Sequence, residues 1–463
     1  MATIGILPLG RPTFDMPYAN ELLDAALKQL DQSGHRIIGS RALLMDGEST
    51  SKALEGLTSG KPDLVLVLQV TFTDAAMTAK IAETLTGPLA IWAFPEPRLG
   101  GRLRLNAFCG LNLAAHALGL RNRPFSWLYK APGQPGFETV IEDLLSGSSQ
   151  TKPVALKSSR GLGTEGAQNL VTKLKGARIG RIGEHPDGFD TCAYDDGKLS
   201  SLAEVTVSEI ALPDLFSRAG AASIQGVAEV REEAEKSVSG LDTVDQEQLD
   251  KSLRLKVALE EIKQSGGFDA FAIRCWPETF TEYGGAVCGP VSMMGEKKVP
   301  CACEADVYGA LTSLIVQEIA DEPAFLVDLV DIDTQDGTGV VWHCGQAPIS
   351  MADPDSSHEA TIHTNRKMPL LYEFPLKPGR VTLARISQAR GEVKMVVARG
   401  IMEKRPMAFT GTSGVLTFDS EPETVMKMIM DAGLEHHMAL VYGDHGSALA
   451  AVAAELNVPI LEI

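Results

Sequence analysis

The chain has 463 residues, of which 44% are hydrophobic, and a formal net charge of −18 at neutral pH. One hydrophobic core rarely serves a chain of this length, so two or three domains are expected. The acidic balance argues against a general nucleic-acid binder and against docking to an anionic membrane, because phosphate groups would be repelled. It does not exclude an anionic small substrate, since local charge can differ from net charge.

The cysteines and the N-terminus predict a cytoplasmic protein. The seven cysteines are odd in number and widely spread, so no disulfide framework is expected and a reducing compartment fits. The first residues, MATIGILPLG, lack the cationic segment and long apolar stretch of a signal peptide. No apolar run is long enough to predict a transmembrane helix.

Residues 1–150 predict a doubly wound α/β domain. Continuous apolar runs such as DLVLVLQ are typical of parallel strands covered on both faces, and helical apolar spacing separates them. Strands are predicted at 3–8, 63–69, 88–94 and 125–129, and helices at 18–31, 74–85 and 112–120. Small, polar and cationic residues at 146–161 indicate a domain boundary.

Residues 151–330 repeat this alternation, which predicts a second parallel-sheet domain carrying Glu304 and Asp328. Its strands are predicted at 177–182, 204–210, 268–275 and 324–331, and its helices at 214–222, 246–264 and 304–320. In residues 331–463, short β runs follow one another without helices before a closing α/β segment. The predicted fold class is therefore α/β, with two doubly wound parallel-sheet domains followed by a C-terminal domain that contains an antiparallel β unit.

The sequence lacks the motifs of several enzyme classes. No glycine-rich phosphate loop of the dinucleotide-binding or Walker type is present, and no G-x-S-x-G nucleophile elbow occurs. Cys344 directly follows His343. Because adjacent side chains of a strand point to opposite faces, these two residues are not expected to form a catalytic pair.

Carboxylates and histidines remain as candidates for chemistry. Glu304 lies in CACEADVYGAL, Asp328 ends the apolar run AFLVD, and His343 and the pair His436-His437 border β runs. Carboxylates at the carboxyl ends of parallel strands lie where α/β sheets bind ligands. A mixed carboxylate and imidazole set suits Mn²⁺, Mg²⁺, Co²⁺ or Zn²⁺. Each residue taken alone is better explained as a cap, a turn former, a solvated side chain or a satisfied core group, and only their joint arrangement favours a metal site.

Strings along nearly the whole chain resemble the L-fucose isomerase/L-arabinose isomerase superfamily, and most closely its fucose-isomerase-like branch. In the first half they are ILPLGRPTFD, LVLQVTFTDA, IWAFPEPRLGG and NAFCGLNLAAH. In the second half they are PCACEADVYGALTSL, FLVD, VVWHCGQAP and GLEHHMALVYGD. The resemblance implies an aldose–ketose isomerase that moves a proton between C1 and C2 of a sugar through a cis-enediol, with a divalent cation, Mn²⁺ first.

The resemblance also implies roles for individual residues. Glu304 and Asp328 correspond to the carboxylates that bind the metal and transfer the proton, and His343 and His437 complete the metal ligands, with His436 as the alternative to His437. The chain is shorter than typical fucose isomerases and has Asp328 where arabinose isomerases have Glu. The identity of the sugar is therefore left open, and Asp331 is an alternative to Asp328 as the second carboxylate ligand. His116 resembles a histidine that reaches a neighbouring subunit's site, which implies a homo-oligomer, a trimer or hexamer.

Further residues are candidates for sugar binding. Trp276 and Trp342 offer aromatic faces for a sugar ring, although core packing explains Trp342 equally well because its side chain is expected to point away from that of His343. His185 follows a strand end and is a candidate for the cleft. Two rival functions stay open: an epimerase or lyase on the same scaffold, and a non-catalytic sugar-binding or regulatory protein.

Overall fold

The computed structural model describes residues 1–463 and contains three β-sheets with surrounding helices. The predicted α/β fold class is confirmed. The first sheet is entirely parallel, in the order β2-β1-β3-β4-β5. Its strands are β1 Thr3–Leu9, β2 Arg36–Gly39, β3 Leu64–Gln69, β4 Leu89–Ala93 and β5 Ser126–Tyr129, and its helices are α1 Met16–Asp31, α2 Gly47–Gly60, α3 Ala76–Thr84, α4 Ala107–Leu120 and α5 Phe137–Ser146.

The second sheet is also parallel and is smaller, in the order β7-β6-β8-β9. Its strands are β6 Arg178–Ile182, β7 Thr206–Ile210, β8 Ala270–Ile273 and β9 Cys301–Cys303. The helices of this segment are α6 Glu165–Leu174, α7 Asp196–Ala203, α8 Leu212–Ala221, α9 Ile224–Ser237, α10 Gln246–Gly266, α11 Cys288–Glu296 and α12 Val307–Ala320. No helix of the chain combines the length and the apolar character needed to span a bilayer.

The third sheet has nine strands and is largely antiparallel, in the order β12-β13-β16-β11-β10-β17-β14-β15-β18. Its strands are β10 Phe325–Asp333, β11 Thr338–His343, β12 Glu359–Thr361, β13 Leu371–Pro375, β14 Gly379–Ser387, β15 Lys394–Met402, β16 Thr412–Phe418, β17 His437–Tyr442 and β18 Ile460–Glu462. Two helices accompany it, α13 Pro422–Ala432 and α14 Gly446–Glu455.

The strand that carries Asp328 corrects one prediction. β10 was expected in the second parallel sheet, yet it pairs antiparallel with β11 and with β17 in the nine-stranded sheet. It lies in the interior of that sheet and is buried over nearly its whole length. A strand buried on both faces has a continuous apolar run whichever way its neighbours point, so its pattern does not distinguish the two kinds of sheet.

The three sheets meet around one cleft. The carboxyl ends of β1 and β3 in the first sheet and of β8 and β9 in the second lead into segments that line it. In open parallel sheets this edge is where ligands bind, because loops there are free to carry polar groups. The third sheet completes the cleft with residues of β10 and β11 and with the residue that precedes β17.

Candidate active site

The cleft encloses about 710 Å³, including the space at its open mouth. Carboxylates and imidazoles lie at one end, and two arginines lie among polar loop residues at the other. Its lining residues are Arg11, Thr13, Phe14, Phe72, Leu103, Asn106, Cys275, Trp276, Cys303, Glu304, Asp328, Trp342, His343, Cys344, His363, Asn365, Arg366 and His436.

Glu304 follows β9 in a tight turn. The sequence predicts instead that Glu304 begins the next helix, and this prediction is wrong. The φ of Glu304 is +59° and that of Ala305 is +56°, a left-handed conformation that is uncommon outside glycine. Helix α12 begins at Val307, after Asp306 has capped it. Such strained turns often accompany functional residues, and this one places the Glu304 carboxylate in the cleft.

The Glu304 carboxylate has two hydrogen-bond donors. Trp276 Nε1 donates to Oε1 at 2.9 Å, and His436 Nε2 lies 3.0 Å from Oε2. Burial would raise the pKa of Glu304, but the hydrogen bond from His436 and the charges of His436 and His437 lower it to about 2. Burial would lower the pKa of His436, and its contact with Glu304 raises it. Glu304 is therefore ionised at neutral pH.

His437 is oriented from behind by a buried carboxylate. His437 Nδ1 lies 3.0 Å from Asp306 Oδ2, and Asp306 also accepts a hydrogen bond from the Gly309 backbone N–H at 2.8 Å. The Arg385 guanidinium donates to both oxygens of Asp306. Burial would raise the pKa of Asp306, but Arg385 and His437 hold it well below its usual range. His437 thus donates through Nδ1, and its Nε2 lone pair is left free for the cleft.

Asp328 has the opposite electrostatic environment to Glu304. It lies on β10 opposite His437 of β17, and its Oδ1 is 3.3 Å from His437 Nε2. Neither of these two atoms has a hydrogen-bond partner, although both are buried. Burial raises the pKa of Asp328 and outweighs the opposing effect of the two histidines. When Asp328 is ionised, its buried Oδ1 needs a donor or a cation as a partner.

His343 lies beside this cluster, with its ring centroid 5.7 Å from that of His437. The backbone N–H of Cys344 donates to His343 Nδ1 at 2.9 Å. Since Nδ1 accepts, the neutral ring carries its hydrogen on Nε2, which is buried and has no partner. In this tautomer His343 Nε2 is a hydrogen-bond donor to the cleft, and the predicted role of His343 as a metal ligand requires the other tautomer, with the hydrogen on Nδ1.

The expected side-chain directions of two neighbours of His343 were wrong. Cys344 Sγ lies 3.4 Å from His343 Nδ1, and the Trp342 and His343 rings are near-parallel with centroids 6.1 Å apart. Strand alternation does not extend to Cys344 because β11 ends at His343 and the chain turns at Gly345, whose φ is +73°. The Cys344 thiol is no nucleophile, because hydrogen bonding to Cys288 and burial raise its pKa to about 11.

The donor set fits a divalent cation. Single ligand atoms of Asp328, His343 and His437 all lie within 4.8 Å of one another, and Glu304 Oε2 lies 3.8 Å from His437 Nε2. Asp328 Oδ1 and His437 Nε2 are unpartnered buried atoms of the kinds that bind such ions. The fitting ligands are Glu304, Asp328 and His437, and His343 Nε2 lies within reach of the same position when its hydrogen is on Nδ1.

The rival carboxylate Asp331 lies outside this cluster. Arg98 Nε donates to it at 2.6 Å and the Tyr129 hydroxyl donates at 2.5 Å. The strand register shifts between Leu329 and Asp331, so the spacing of the two aspartates does not place them on one face in a simple way. Asp331 ties the third sheet to the first domain, and Asp328 alone faces the histidines.

Two predicted site histidines lie away from the cleft. His116 is completely buried in α4, and its Nδ1 hydrogen-bonds the carbonyl of Gly433 at 2.9 Å. A side chain enclosed by its own subunit cannot reach the active site of a neighbouring subunit, so the predicted role of His116 is wrong. His116 therefore gives no support to the prediction of a homo-oligomer. His185 is half-buried and does not line the cleft. It follows β6, whose end lies to one side of β8 and β9.

Trp276 lies at the centre of the cleft wall. Its indole joins the Glu304 carboxylate to the guanidinium groups of Arg11 and Arg366, each of which lies 5.5 Å from the ring centroid. The residues just before Trp276 and Glu304 are Cys275 and Cys303, which form a disulfide with Cα atoms 5.8 Å apart. Although no disulfide framework was expected, this single bridge connects the two strand ends that carry Trp276 and Glu304.

Sequence reasoning missed several residues of the site. Asp306 was noted beside Glu304 but was given no role. Nothing in the residues around Arg385 indicated a link to the site, because the strand that carries Arg385 is far from Asp306 in sequence. Arg11 follows the first strand directly in GRPTF, and His363, Asn365 and Arg366 stand close together in HTNRK, a polar turn between β runs. A cationic turn after a strand was the available signal for these last residues.

Comparisons with known families agree with this architecture. Residues 5–152 match the N-terminal domain of the fucose/sulfoquinovose isomerases. Residues 341–463 match the C-terminal domain of L-fucose isomerase. The two matched regions contain the first parallel sheet and most of the nine-stranded sheet, and they contribute Arg11, His343, His436 and His437 to the cleft and its surroundings.

Curated relatives match along the whole chain. The sulfoquinovose isomerase of Priestia aryabhattai is 31% identical over 456 residues, which is 98% of each chain. Those of Alkalicoccus urumqiensis and of Clostridium sp. (strain MSTE9) are 29% and 28% identical, over 100% and 98% of this chain and 100% and 97% of the relatives. With this end-to-end similarity and both domain matches, the chain belongs to the L-fucose isomerase-like family and is an aldose–ketose sugar isomerase.

Proposed function

We propose that this enzyme interconverts sulfoquinovose, a glucose with a sulfonate on C6, and the corresponding 2-ketose. The names of the full-length relatives support this substrate. The single observation that carries the chemistry is the convergence of Glu304, Asp328 and His437 from three separate strands, or the turn that follows one, at one end of the cleft. A proton-transfer site needs a base beside the reacting carbon and groups that stabilise charge on its oxygens.

Glu304 is the proton-transfer residue in this proposal. Its low pKa keeps it ionised, so it accepts the proton from C2 of the open-chain aldose. As that proton leaves, O1 gains a proton and a cis-enediol forms. The protonated Glu304 then returns its proton to C1 on the same face, O2 loses its proton, and the 2-ketose results. Trp276 Nε1 and His436 hold the carboxylate in place throughout.

We propose that a divalent cation, with Mn²⁺ as the first candidate, is held by Glu304, Asp328 and His437. When bound, such an ion supplies Lewis-acid polarisation of the two neighbouring sugar oxygens. Asp306 and Arg385 keep the His437 ring in the orientation that leaves Nε2 free. His343 Nε2, the unpartnered donor, is available to a hydroxyl of the sugar.

Two carboxylates in unlike environments suit the two directions of the reaction. Glu304 is stabilised as an anion by donors, and Asp328 is pushed by burial toward its neutral form. Sites that separate two pKa values in this way assign one group as base and the other as its partner. Asp328 is the partner that takes up or releases the hydroxyl proton.

The test is conversion of sulfoquinovose in D₂O with Mn²⁺, followed by ¹H NMR. The expected result is formation of the 2-ketose with deuterium entering at C1 and C2. Tight binding of the sugar without any turnover or exchange would replace this proposal with a sugar-binding function. Inversion at another carbon with no ketose formed would replace it with an epimerase. Loss of turnover on removing divalent cations with EDTA, restored by Mn²⁺, tests the metal.

A further inference from the structure

The cleft has a cationic end opposite its carboxylates. Arg11 follows β1, and Arg366 belongs to the segment between β12 and β13. Both guanidinium carbons lie 5.5 Å from the Trp276 ring centroid, so both arginines contact the indole that also touches Glu304. In a chain of net charge −18, these two arginines, of which only Arg11 has a carboxylate partner, leave a net positive charge at this end of the cleft.

Arg366 has no carboxylate partner. It forms no ion pair, whereas Arg11 is bound to Asp74. Burial and the charge of Arg11 lower the pKa of Arg366, with a small opposing effect from Cys344. A half-buried guanidinium without a counter-ion is costly to maintain in a fold unless a ligand supplies the negative charge.

The turn that carries Arg366 presents further hydrogen-bond donors. The backbone N–H groups of Asn365 and Arg366 both donate to His363 Nδ1 at 3.2 Å, so the neutral ring carries its hydrogen on Nε2. Arg102 Nη2 donates to Asn365 Oδ1 at 3.0 Å, which leaves the amide N–H₂ of Asn365 as the outward donor. The side chains of Arg366, His363 and Asn365 therefore all offer hydrogen-bond donors to this end of the cleft, and none of the three needs to accept a hydrogen bond.

The donors are held in place before any ligand arrives. His363 donates its backbone N–H to the Met368 carbonyl at 2.9 Å and accepts from the Lys367 N–H at 2.7 Å, which closes the turn. Arg102 also donates to the carbonyl of Thr13 and so connects this turn to the loop after β1. A preorganised set of donors loses little conformational freedom on binding.

We infer that Arg366, Arg11, His363 and Asn365 form a subsite for a tetrahedral oxyanion on the far end of the sugar, which in the proposed substrate is the C6 sulfonate. This inference rests on the proposed function. A planar guanidinium binds such oxyanions through two parallel N–H donors, and the neutral donors can reach the remaining oxygen. Trp276 spans the distance between this subsite and Glu304, so one sugar chain contacts both ends. Arg366 is the specificity-determining residue, because Arg11 already has a partner.

The test compares sulfoquinovose with 6-deoxyglucose, which lacks only the sulfonate, and with glucose 6-phosphate. Arg366→Gln is expected to raise KM for sulfoquinovose about tenfold to a hundredfold, as loss of charged hydrogen bonds does, with a smaller change in kcat. Turnover of 6-deoxyglucose is expected to be weak in the wild type and to change less than about twofold in Arg366→Gln, since that sugar places nothing in the subsite. Arg366→Lys keeps the positive charge and loses the paired N–H donors of the guanidinium. Its KM for sulfoquinovose is expected to lie between that of the wild type and that of Arg366→Gln.

Arg41→Gln is the matched control, because Arg41 is an exposed arginine paired with Asp31 far from the cleft. Its KM for sulfoquinovose is expected to equal that of the wild type. Equal losses on sulfoquinovose and 6-deoxyglucose in Arg366→Gln would overturn the subsite. A wild-type preference for glucose 6-phosphate over sulfoquinovose would overturn the sulfonate as its occupant.

Binding separates this inference from the proposed function. Calorimetric titration of sulfoquinovose into Glu304→Gln, and into the same variant with Arg366→Gln added, reads affinity without turnover. A loss of affinity about as large as the change in KM supports the subsite even where the wild type proves not to isomerise the sugar. Unchanged affinity with normal wild-type turnover overturns the subsite and leaves the isomerase proposal standing.

Discussion

The two ends of the cleft are built differently. At the acidic end, Glu304, Asp328 and His437 follow or lie on β-strands, and buried partners such as Asp306 hold them. At the cationic end, Arg11 and Arg366 lie in connecting segments and are only half-buried. Side chains that must approach a reacting carbon within hydrogen-bond distance need rigid support, whereas recognition of a charged substituent tolerates loops. The difference indicates that reaction type is set by the strands and substrate choice by the loops.

The largest expected effect comes from removing the base at the acidic end. Glu304→Gln keeps the size of the side chain and loses the proton acceptor, so the rate of proton exchange at C1 and C2 is expected to fall about a thousandfold or more. Circular dichroism and the melting temperature should show a folded protein. Glu318→Gln, at an exposed carboxylate paired with Lys173, is the control and should keep full activity. Near-normal exchange by Glu304→Gln would move the base elsewhere.

The next largest effect is expected from removing Asp306, the buried carboxylate that orients His437. Asp306→Asn removes the acceptor that orients His437 and leaves Arg385 as a buried charge without its partner. Affinity for Mn²⁺, or activity at limiting Mn²⁺, is expected to fall about tenfold to a hundredfold. Stability to denaturant is expected to fall by about 3–5 kcal/mol, the usual cost of breaking a buried ion pair. Wild-type Mn²⁺ titration by this variant would show that His437 needs no such support.

A smaller effect, on the stability of the metal-free protein, follows from the raised pKa of Asp328. Burial raises this pKa in the folded protein, so the folded state prefers the neutral form. The stability that this preference contributes is present below the unfolded pKa and is lost as pH rises through the folded pKa. In metal-free protein, Asp328→Asn is therefore expected to melt at a higher temperature than the wild type at pH 7, with the difference shrinking toward pH 4.

Thermal melts in EDTA at the two pH values measure this difference. Addition of Mn²⁺ should raise the melting temperature of the wild type and leave that of Asp328→Asn little changed, because ligands stabilise the state that binds them. A variant that melts below the metal-free wild type at pH 7 would show that Asp328 is satisfied without a cation.

The smallest effect is expected from changing His185, which belongs to neither end of the cleft. His185 does not line the cleft, so His185→Ala is expected to change kcat and KM by less than about twofold, as substitutions away from such features usually do. A tenfold loss of activity would show that the cleft extends toward β6 during turnover. Steady-state kinetics with sulfoquinovose measure the change.

Particular residues show how far sequence reasoning reached. Glu304 and Asp328 could be selected because carboxylates beside buried strands lie at ligand-binding edges, and the paired histidines border a strand. The choice between Asp328 and Asp331 was beyond the sequence, since it depends on a register shift within β10 and on Arg98 from another domain. His116 had the expected residue type in the expected helix and proved to be enclosed by its own subunit.

Local pattern in the sequence determined the α/β class, the two parallel sheets, the antiparallel unit and the residue types available for chemistry, because apolar periodicity and strand ends are encoded by neighbouring residues. The tertiary structure alone decided which side chains meet. The Asp306–Arg385 pair and the contacts of Arg11 and Arg366 with Trp276 each join segments far apart in the chain. Such contacts arise from the packing of three sheets around one cleft, and no local pattern carries them.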